Sequence, residues 1–219
     1  MIMSAPNLKP RRSPFLFSHA LALDLVELVI VLVLYLNLVM RLFASVGEVW
    51  QLTNLLLLPS EGLVVVFLLL RRRTENISMR WQEWLLALSA TAAPMLVQPG
   101  VGAALVPLIC GVSLLLIGTI IQVHAKLTLG RSFGCVPANR GLKLVGPYRY
   151  VRHPMYAGYL LGHIAFLLMN PTVWNIAVYA TCYALQVPRL FKEEKLLQHD
   201  PQYRLYQATV RYRLIPGVF

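Results

Sequence analysis

The stretch MYAGYLLGHIAFLLMNPTVWNIAVYATCYALQV, at Met155–Val187, is a 33-residue apolar segment in the C-terminal third of the chain. A single helix of this length, at 1.5 Å per residue, would exceed the roughly 30 Å of hydrocarbon in a bilayer. Asn170-Pro171 interrupts the segment near its middle, and Asn-Pro is a turn signal. The stretch therefore predicts a helical hairpin whose two ends lie on the same side of the membrane.

Four further apolar segments precede the hairpin, at Asp24–Ala44, Leu52–Leu70, Trp81–Val97 and Gly102–Val123. The chain is 58% hydrophobic and only 13% charged, whereas soluble domains carry about a quarter charged residues. We predict an all-α polytopic membrane protein with four transmembrane helices plus a re-entrant or spanning hairpin. It forms one domain, with an N-terminal arm at 1–20, transmembrane helices at 21–125 and a catalytic region at 126–219. The first apolar segment is too long for a cleavable signal peptide, so we expect it to be retained.

The basic residues indicate the orientation of this domain. The chain carries a net charge of +11, which alone would also suit a nucleic-acid partner. If the N-terminus is cytosolic, 19 of the 20 Lys and Arg residues fall in cytosolic segments, and only Arg41 lies near the outer face. We therefore expect both termini in the cytosol and no nucleic-acid partner.

Two polar regions flank the hairpin, at 127–156 and 189–219, and the hairpin should bring them together at the cytosolic surface. The first contains GPYRYVRHPMY at Gly146–Tyr156, which combines turn formers, cations, aromatics and a histidine. Pro154 suits the first turn of a helix, whose free amides can bind an anionic group. A basic anchor at the headgroups would have the same composition.

The second polar region contains adjacent carboxylates at Glu193 and Glu194. Arg189 and Glu193 are four residues apart and share a helical face, so an exposed ion pair is one interpretation. The two carboxylates are also suited to ribose hydroxyls, an ammonium or a sulfonium. The residue types alone leave these alternatives open.

Other polar residues favour structural interpretations. Cys110, Cys135 and Cys182 form no CxxC pair and no histidine cluster accompanies them, so we expect no metal. For His124 and His163, which lie in or beside apolar segments, a hydrogen bond between helices is at least as good an explanation as a functional role.

Two further features bear on the helices themselves. Glu61 suggests a broken helix or a polar lining of a substrate path. Gly158 and Gly162 form a GxxxG that predicts close helix packing, and a small residue there would also leave space for a cofactor.

Taken together, RHPMY at Arg152–Tyr156, Gly158 and the Glu193-Glu194 pair resemble the isoprenylcysteine carboxyl methyltransferase family and its phospholipid methyltransferase relatives. LGRSFG at Leu129–Gly134, GPYRYVRHPMYAG at Gly146–Gly158 and RLIPG at Arg213–Gly217 are similar to the bacterial branch. The resemblance covers 127–219. The segments before it contribute only hydropathy.

This resemblance implies methyl transfer from S-adenosylmethionine to a lipid or prenylated small molecule at the bilayer, in a bacterial inner membrane. Arg189 and Glu193 would be the catalytic residues, with Arg189 orienting a substrate carboxylate. The cofactor would be held by Leu142, Lys143, Gly146, Tyr148, His153, Tyr156 and Glu194. A carboxylate acceptor needs no general base, whereas an amine must lose a proton, for which Glu193 is suited.

Two other classes share part of the pattern. Membrane sterol-reductase-like enzymes have a similar RHP-Tyr pattern but use NADPH, and the motif context with the Glu-Glu pair favours the methyltransferase. A small transporter would show inverted repeats or charges spread through several spans. The acceptor remains open among a carboxylate, a phospholipid amine and a thiol.

Overall fold

A computed structural model describes residues 14–44, 62–74, 77–98 and 102–219. These residues form helices joined by short turns, and their only β-structure is an isolated bridge between Ile77 and Ala138. The all-α prediction is therefore confirmed for the described residues. The helices are α1 (Pro14–Ala44), α2 (62–70), α3 (Trp81–Ala92), α4 (Leu108–Leu129), α5 (Pro154–Met169), α6 (Val173–Leu197) and α7 (Pro201–Thr209). Short 3₁₀ turns lie at Ala93–Leu96, Gly130–Ser132 and Gly146–Arg149.

The predicted hairpin is confirmed, with α5 ending at Met169 and α6 beginning at Val173. Thr172 caps α6, because its side chain accepts a hydrogen bond from the Asn175 amide. Buried Asn175 also donates to the Asn170 carbonyl at 3.0 Å. These bonds satisfy backbone groups that a helix end leaves without partners.

The two hairpin helices pack mainly against other helices, α5 on α4 and α6 on α3. Glycines allow the first contact. A Cβ on Gly158 would lie 2.7 Å from the Gly118 carbonyl oxygen, and a Cβ on Gly118 would lie 2.9 Å from the Gly162 amide nitrogen. The GxxxG therefore serves close packing of α4 and α5.

Contacts between the segments that flank the helices fall on two faces. At one face, Arg71 after α2 pairs with Asp24 in the first half of α1, and the Ser78 amide before α3 bonds to the Pro137 carbonyl after α4. We call this the polar face. At the other face, Leu105 bonds to Leu168 at the end of α5.

Two described segments are long and apolar enough to cross a membrane, Leu21–Met40 and Leu108–Ser132, and α5 is a shorter apolar helix. The predicted count of four spans before the hairpin is not established by these helices. α1 begins at Pro14, within the segment predicted as an arm, and residues 1–13 lie outside the described part. Much of the predicted second span also lies outside it, and the third is a 12-residue α-helix followed by a 3₁₀ turn.

The last of the four predicted segments is shifted along the chain. α4 begins after Pro107 and continues to Leu129, whereas the apolar segment was placed at 102–123. Pro107 stands at the N-cap of α4, a position that tolerates the missing amide proton.

Candidate active site

An open cleft lies on the polar face, lined by residues of both polar regions. Its walls are the chain from the end of α4 to the start of α5, the last turns of α6, and α7. Six predicted site residues line it: Leu142, Lys143, Tyr148, His153, Tyr156 and Glu193. The expected meeting of the two polar regions is therefore observed.

The backbone of the C-terminal segment and the start of α5 hold the RHPMY motif in place. The amides of Arg152 and His153 donate to the carbonyls of Tyr212 and Arg213 at 2.9 and 2.8 Å. Pro154 then begins α5 at a position where no amide proton is required. This pairing fixes where the His153 ring stands on the wall of the cleft.

Glu194 lies behind that wall and does not line the cleft. It is 2% exposed, and its carboxylate contacts the Arg152 Nε at 3.2 Å, the His153 Nε2 at 3.1 Å and the Arg213 Nε at 3.1 Å. Burial raises the pKa of Glu194, but the hydrogen bond from His153 and the nearby charges of His153, Arg152 and Arg213 outweigh burial and bring the pKa below its ordinary value of 4.5. Glu194 is thus an ionised anchor for two residues of the motif.

Glu193 faces the cleft, about 100° around the helix from Glu194. The Tyr156 hydroxyl donates to its Oε2 at 3.3 Å. Of the two adjacent carboxylates, Glu194 is therefore buried among cations and Glu193 lies in the cleft.

Arg189 is buried and lies outside the lining of the cleft. Its guanidinium is 5.7 Å from the centroid of the Tyr156 ring. Its Nη1 donates to Thr91 Oγ1 and Gln186 Oε1, and its Nη2 donates to the Cys135 carbonyl at 2.7 Å. The exposed ion pair considered from the sequence does not describe this residue.

Aromatic side chains from α7 complete the cleft, and the sequence reasoning missed them. Tyr203 and Tyr206 pack against each other, and the Tyr206 hydroxyl donates to the Tyr148 carbonyl at 2.7 Å. Burial raises the pKa of all three phenols, so they are neutral donors at pH 7. The buried Tyr203 hydroxyl has no partner among the described residues. The i, i+3 spacing of two tyrosines in PQYRLYQ was the available signal.

Cations form another part of the wall that was not predicted. Arg140 and Arg152 line the cleft, and both are buried. Arg140 Nη2 contacts Asp24 Oδ1 at 2.7 Å and Glu27 Oε2 at 3.0 Å. Arg71 pairs with the same two carboxylates, at 3.1 and 2.9 Å. We call Asp24, Glu27, Arg71 and Arg140 the charge quartet.

The remaining predicted residue, Gly146, lies outside the lining of the cleft. Its φ is +59°, and a Cβ there would stand 3.0 Å from Thr128 Oγ1. Glycine avoids strain at this φ, so Gly146 shapes the turn that leads to Tyr148. A direct contact with a ligand is not part of this geometry.

His163 and His124 differ in their surroundings. The His163 ring bonds to the Tyr183 hydroxyl at 2.9 Å and stacks on Tyr179, which agrees with the expected hydrogen bond between helices. The His124 carbonyl accepts from Thr128 Oγ1 within α4. Glu61 lies outside the described residues.

Comparisons with known proteins connect this geometry to a family. The family model of phospholipid methyltransferase matches residues 106–200. Protein-S-isoprenylcysteine O-methyltransferase A of Arabidopsis thaliana is 33% identical over 90 residues, which cover 38% of this chain and 43% of that protein. The alignment thus spans less than half the length of this curated relative.

The matched region contains α4, the hairpin and most residues of the cleft, while α1, α2, α3 and α7 lie outside it. The segment 106–200 is therefore similar to the phospholipid methyltransferase family.

Proposed function

We propose that the chain is an integral membrane methyltransferase that uses S-adenosylmethionine and methylates the carboxylate of an isoprenylcysteine-like acceptor. The observation that carries the proposal is the cleft, which gathers Tyr148, His153, Tyr156 and Glu193 within the family-matched region. The proposed orientation places the polar face in the cytosol. All five predicted apolar segments, the hairpin included, would then cross or enter the bilayer.

The residues of the cleft fit the cofactor. The unpartnered Tyr203 hydroxyl can donate to an acceptor atom of the ligand, and Glu193 can accept from ribose hydroxyls or from the ammonium group. The tyrosine rings offer faces that attract a sulfonium. When bound, the cofactor supplies an activated methyl group whose transfer depends mainly on alignment and exclusion of water.

Arg189 favours a carboxylate as the acceptor. This cation is buried, its hydrogen-bond partners are neutral, and its Nε has no partner among the described residues. The Glu193 carboxylate already attracts this buried cation, and the carboxylate of a bound acceptor would add to that attraction and stabilise the site. The lipid chain of that acceptor would lie between helices, and Arg189 would orient its reacting oxygen.

Calorimetric titration with S-adenosylhomocysteine tests the cofactor site. Loss of one neutral hydrogen bond, in Tyr203→Phe, should weaken binding about two- to tenfold. Glu193→Gln should weaken it further, because a charged acceptor is lost. Tyr150→Phe is the matched control, because Tyr150 is 74% exposed and lies outside the lining of the cleft. A folded wild-type protein that binds NADPH and not S-adenosylhomocysteine would overturn the proposal in favour of the reductase.

A phospholipid amine is the second candidate acceptor. Glu193 is a carboxylate in the cleft that can take the proton an amine must lose. Transfer of a tritiated methyl group to N-acetyl-S-farnesylcysteine, compared with transfer to phosphatidylethanolamine vesicles, separates the two candidates. Methylation of the vesicles alone would assign the amine.

A further inference from the structure

The charge quartet joins α1 and α2, which lie outside the family-matched region, to the loop between α4 and α5. Glu27 is its most buried member, with no exposed surface. Besides both arginines, Glu27 contacts the backbone: its Oε1 accepts from the amides of Cys135 and Val136 at 2.7 and 2.9 Å. One carboxylate thus holds two side chains and two peptide groups.

Cys135 connects this carboxylate to Arg189. Its amide donates to Glu27, and its carbonyl accepts from Arg189 Nη2 at 2.7 Å. A shift of the 135–136 backbone would therefore move an acceptor that fixes the guanidinium. Within the described part of the chain, the Asp24 carboxylate contacts the two arginines and no backbone amide of this loop.

We infer that Glu27 is a positioning residue for Arg189, acting through the backbone of Cys135. The inference rests on the proposed function, in which Arg189 orients the acceptor carboxylate. It assigns to the first membrane helix a role in acceptor alignment that the family-matched region cannot supply by itself. Arg140, which lines the cofactor cleft, stays in place through its contact with Asp24.

Two charge-balanced double variants isolate the contact with the backbone. The glutamine pair, Glu27→Gln with Arg71→Met, removes one anion and one cation but keeps a side-chain oxygen for the two amides. The leucine pair, Glu27→Leu with Arg71→Met, removes the same charges and also the oxygen. Both leave the Asp24–Arg140 pair intact, so a difference between them reports on the two amide hydrogen bonds.

The first measurement is the rate of maleimide alkylation of Cys135, in a Cys110→Ser background. Burial raises the pKa of this thiol to about 11, so it reacts slowly in the wild type. We expect the leucine pair to react at least about tenfold faster than the glutamine pair, as the loop opens about 1.4 kcal/mol more readily. Buried Cys182 is the internal control and should be unchanged. Rates for Cys135 that agree within about twofold would overturn the inference.

The second measurement is methyl transfer to N-acetyl-S-farnesylcysteine. The leucine pair should raise the KM for this acceptor at least about tenfold over the glutamine pair, while affinity for S-adenosylhomocysteine stays within about twofold. A general loss of structure would weaken the binding of both the acceptor and S-adenosylhomocysteine. In an Arg189→Lys background the difference between the pairs should disappear, because coupled residues are not additive. An undiminished difference in that background would show that Glu27 does not act through Arg189.

Failure of the proposed function gives a different pattern. If the wild type binds no S-adenosylhomocysteine, Arg189 has no acceptor to orient, and both the function and the inferred role are overturned. If the wild type binds and methylates but the two pairs behave alike, the function stands and only the role of Glu27 is lost.

Discussion

Replacing Glu194 with glutamine should destabilise the protein more than any single change of an exposed charge. Loss of one partner from a buried ion pair typically costs about 3–5 kcal/mol, because the remaining charge is left in a poorly polarisable interior. Arg152 would be that charge, since its side chain is 4% exposed, whereas Arg213 at 26% can rehydrate. Glutamine keeps the shape and one oxygen, so we expect the lower end, about 3 kcal/mol.

Thermal unfolding in detergent measures this effect. For a chain of this length, 1 kcal/mol corresponds to about 2–4 °C, so Glu194→Gln should lower the melting temperature by about 6–12 °C. Lys195→Gln is the matched control: it removes a charge from the next residue of α6, which is exposed, and should shift the melting temperature by about 2 °C or less. A Glu194 variant that melts with this control would refute the buried-charge reasoning.

Three further outcomes are expected. Because the pKa of Glu194 lies below its ordinary value, its stabilising contribution is present above about pH 4.5 and is lost as the pH falls through the lowered pKa. The melting temperature of the wild type should therefore fall more steeply in acid than that of Glu194→Gln. Parallel curves of melting temperature against pH would contradict this. Gly158→Ala should lower the free energy of unfolding by about 1–3 kcal/mol, because the added methyl group overpacks against α4, and the same thermal melts measure this. Gly62→Ala is the control and should be nearly neutral, because no described atom lies within 4 Å of its Cβ. Equal shifts in melting temperature would refute the close contact. Asn175→Ala should lower the free energy of unfolding by about 1–3 kcal/mol for each buried partner left unpaired. It should also speed hydrogen exchange of the Gln98 amide, which bonds to the Asn175 side chain. An unchanged exchange rate at Gln98 would contradict this.

The hairpin and the meeting of the two polar regions could be predicted because both follow from local rules. A 33-residue apolar stretch with Asn170-Pro171 at its centre has few alternatives, and a hairpin returns both flanking regions to one face. The resemblance then selected the residues around RHPMY. Six of the nine proposed site residues line the cleft, and Glu194 supports it from behind.

What the sequence did not reveal depends on partners that are distant along the chain. Asp24 and Glu27 look like the polar start of a membrane helix, and their partner Arg140 follows more than 110 residues later. No periodicity relates such positions. The i, i+3 spacing of Tyr203 and Tyr206 likewise does not place them in the cleft by itself, because their position depends on how α7 docks. The number of spans could not be predicted either, because a short helix such as α3 can cross the membrane only if the neighbouring turns add to its length.

The charge quartet also has a consequence for biogenesis. At a synthesis rate of about 5–20 residues per second, Arg71 leaves the ribosome about 2–9 s after Asp24, and Arg140 only about 6–23 s after it. The first helix therefore enters the translocation machinery with two carboxylates whose counter-charges do not yet exist. Arg71 neutralises one of them early, and the second stays uncompensated until the chain beyond α4 is made. In the proposed membrane topology, assembly would thereby be ordered, with α1 unable to settle fully into lipid before the loop that completes its charge balance has been synthesised.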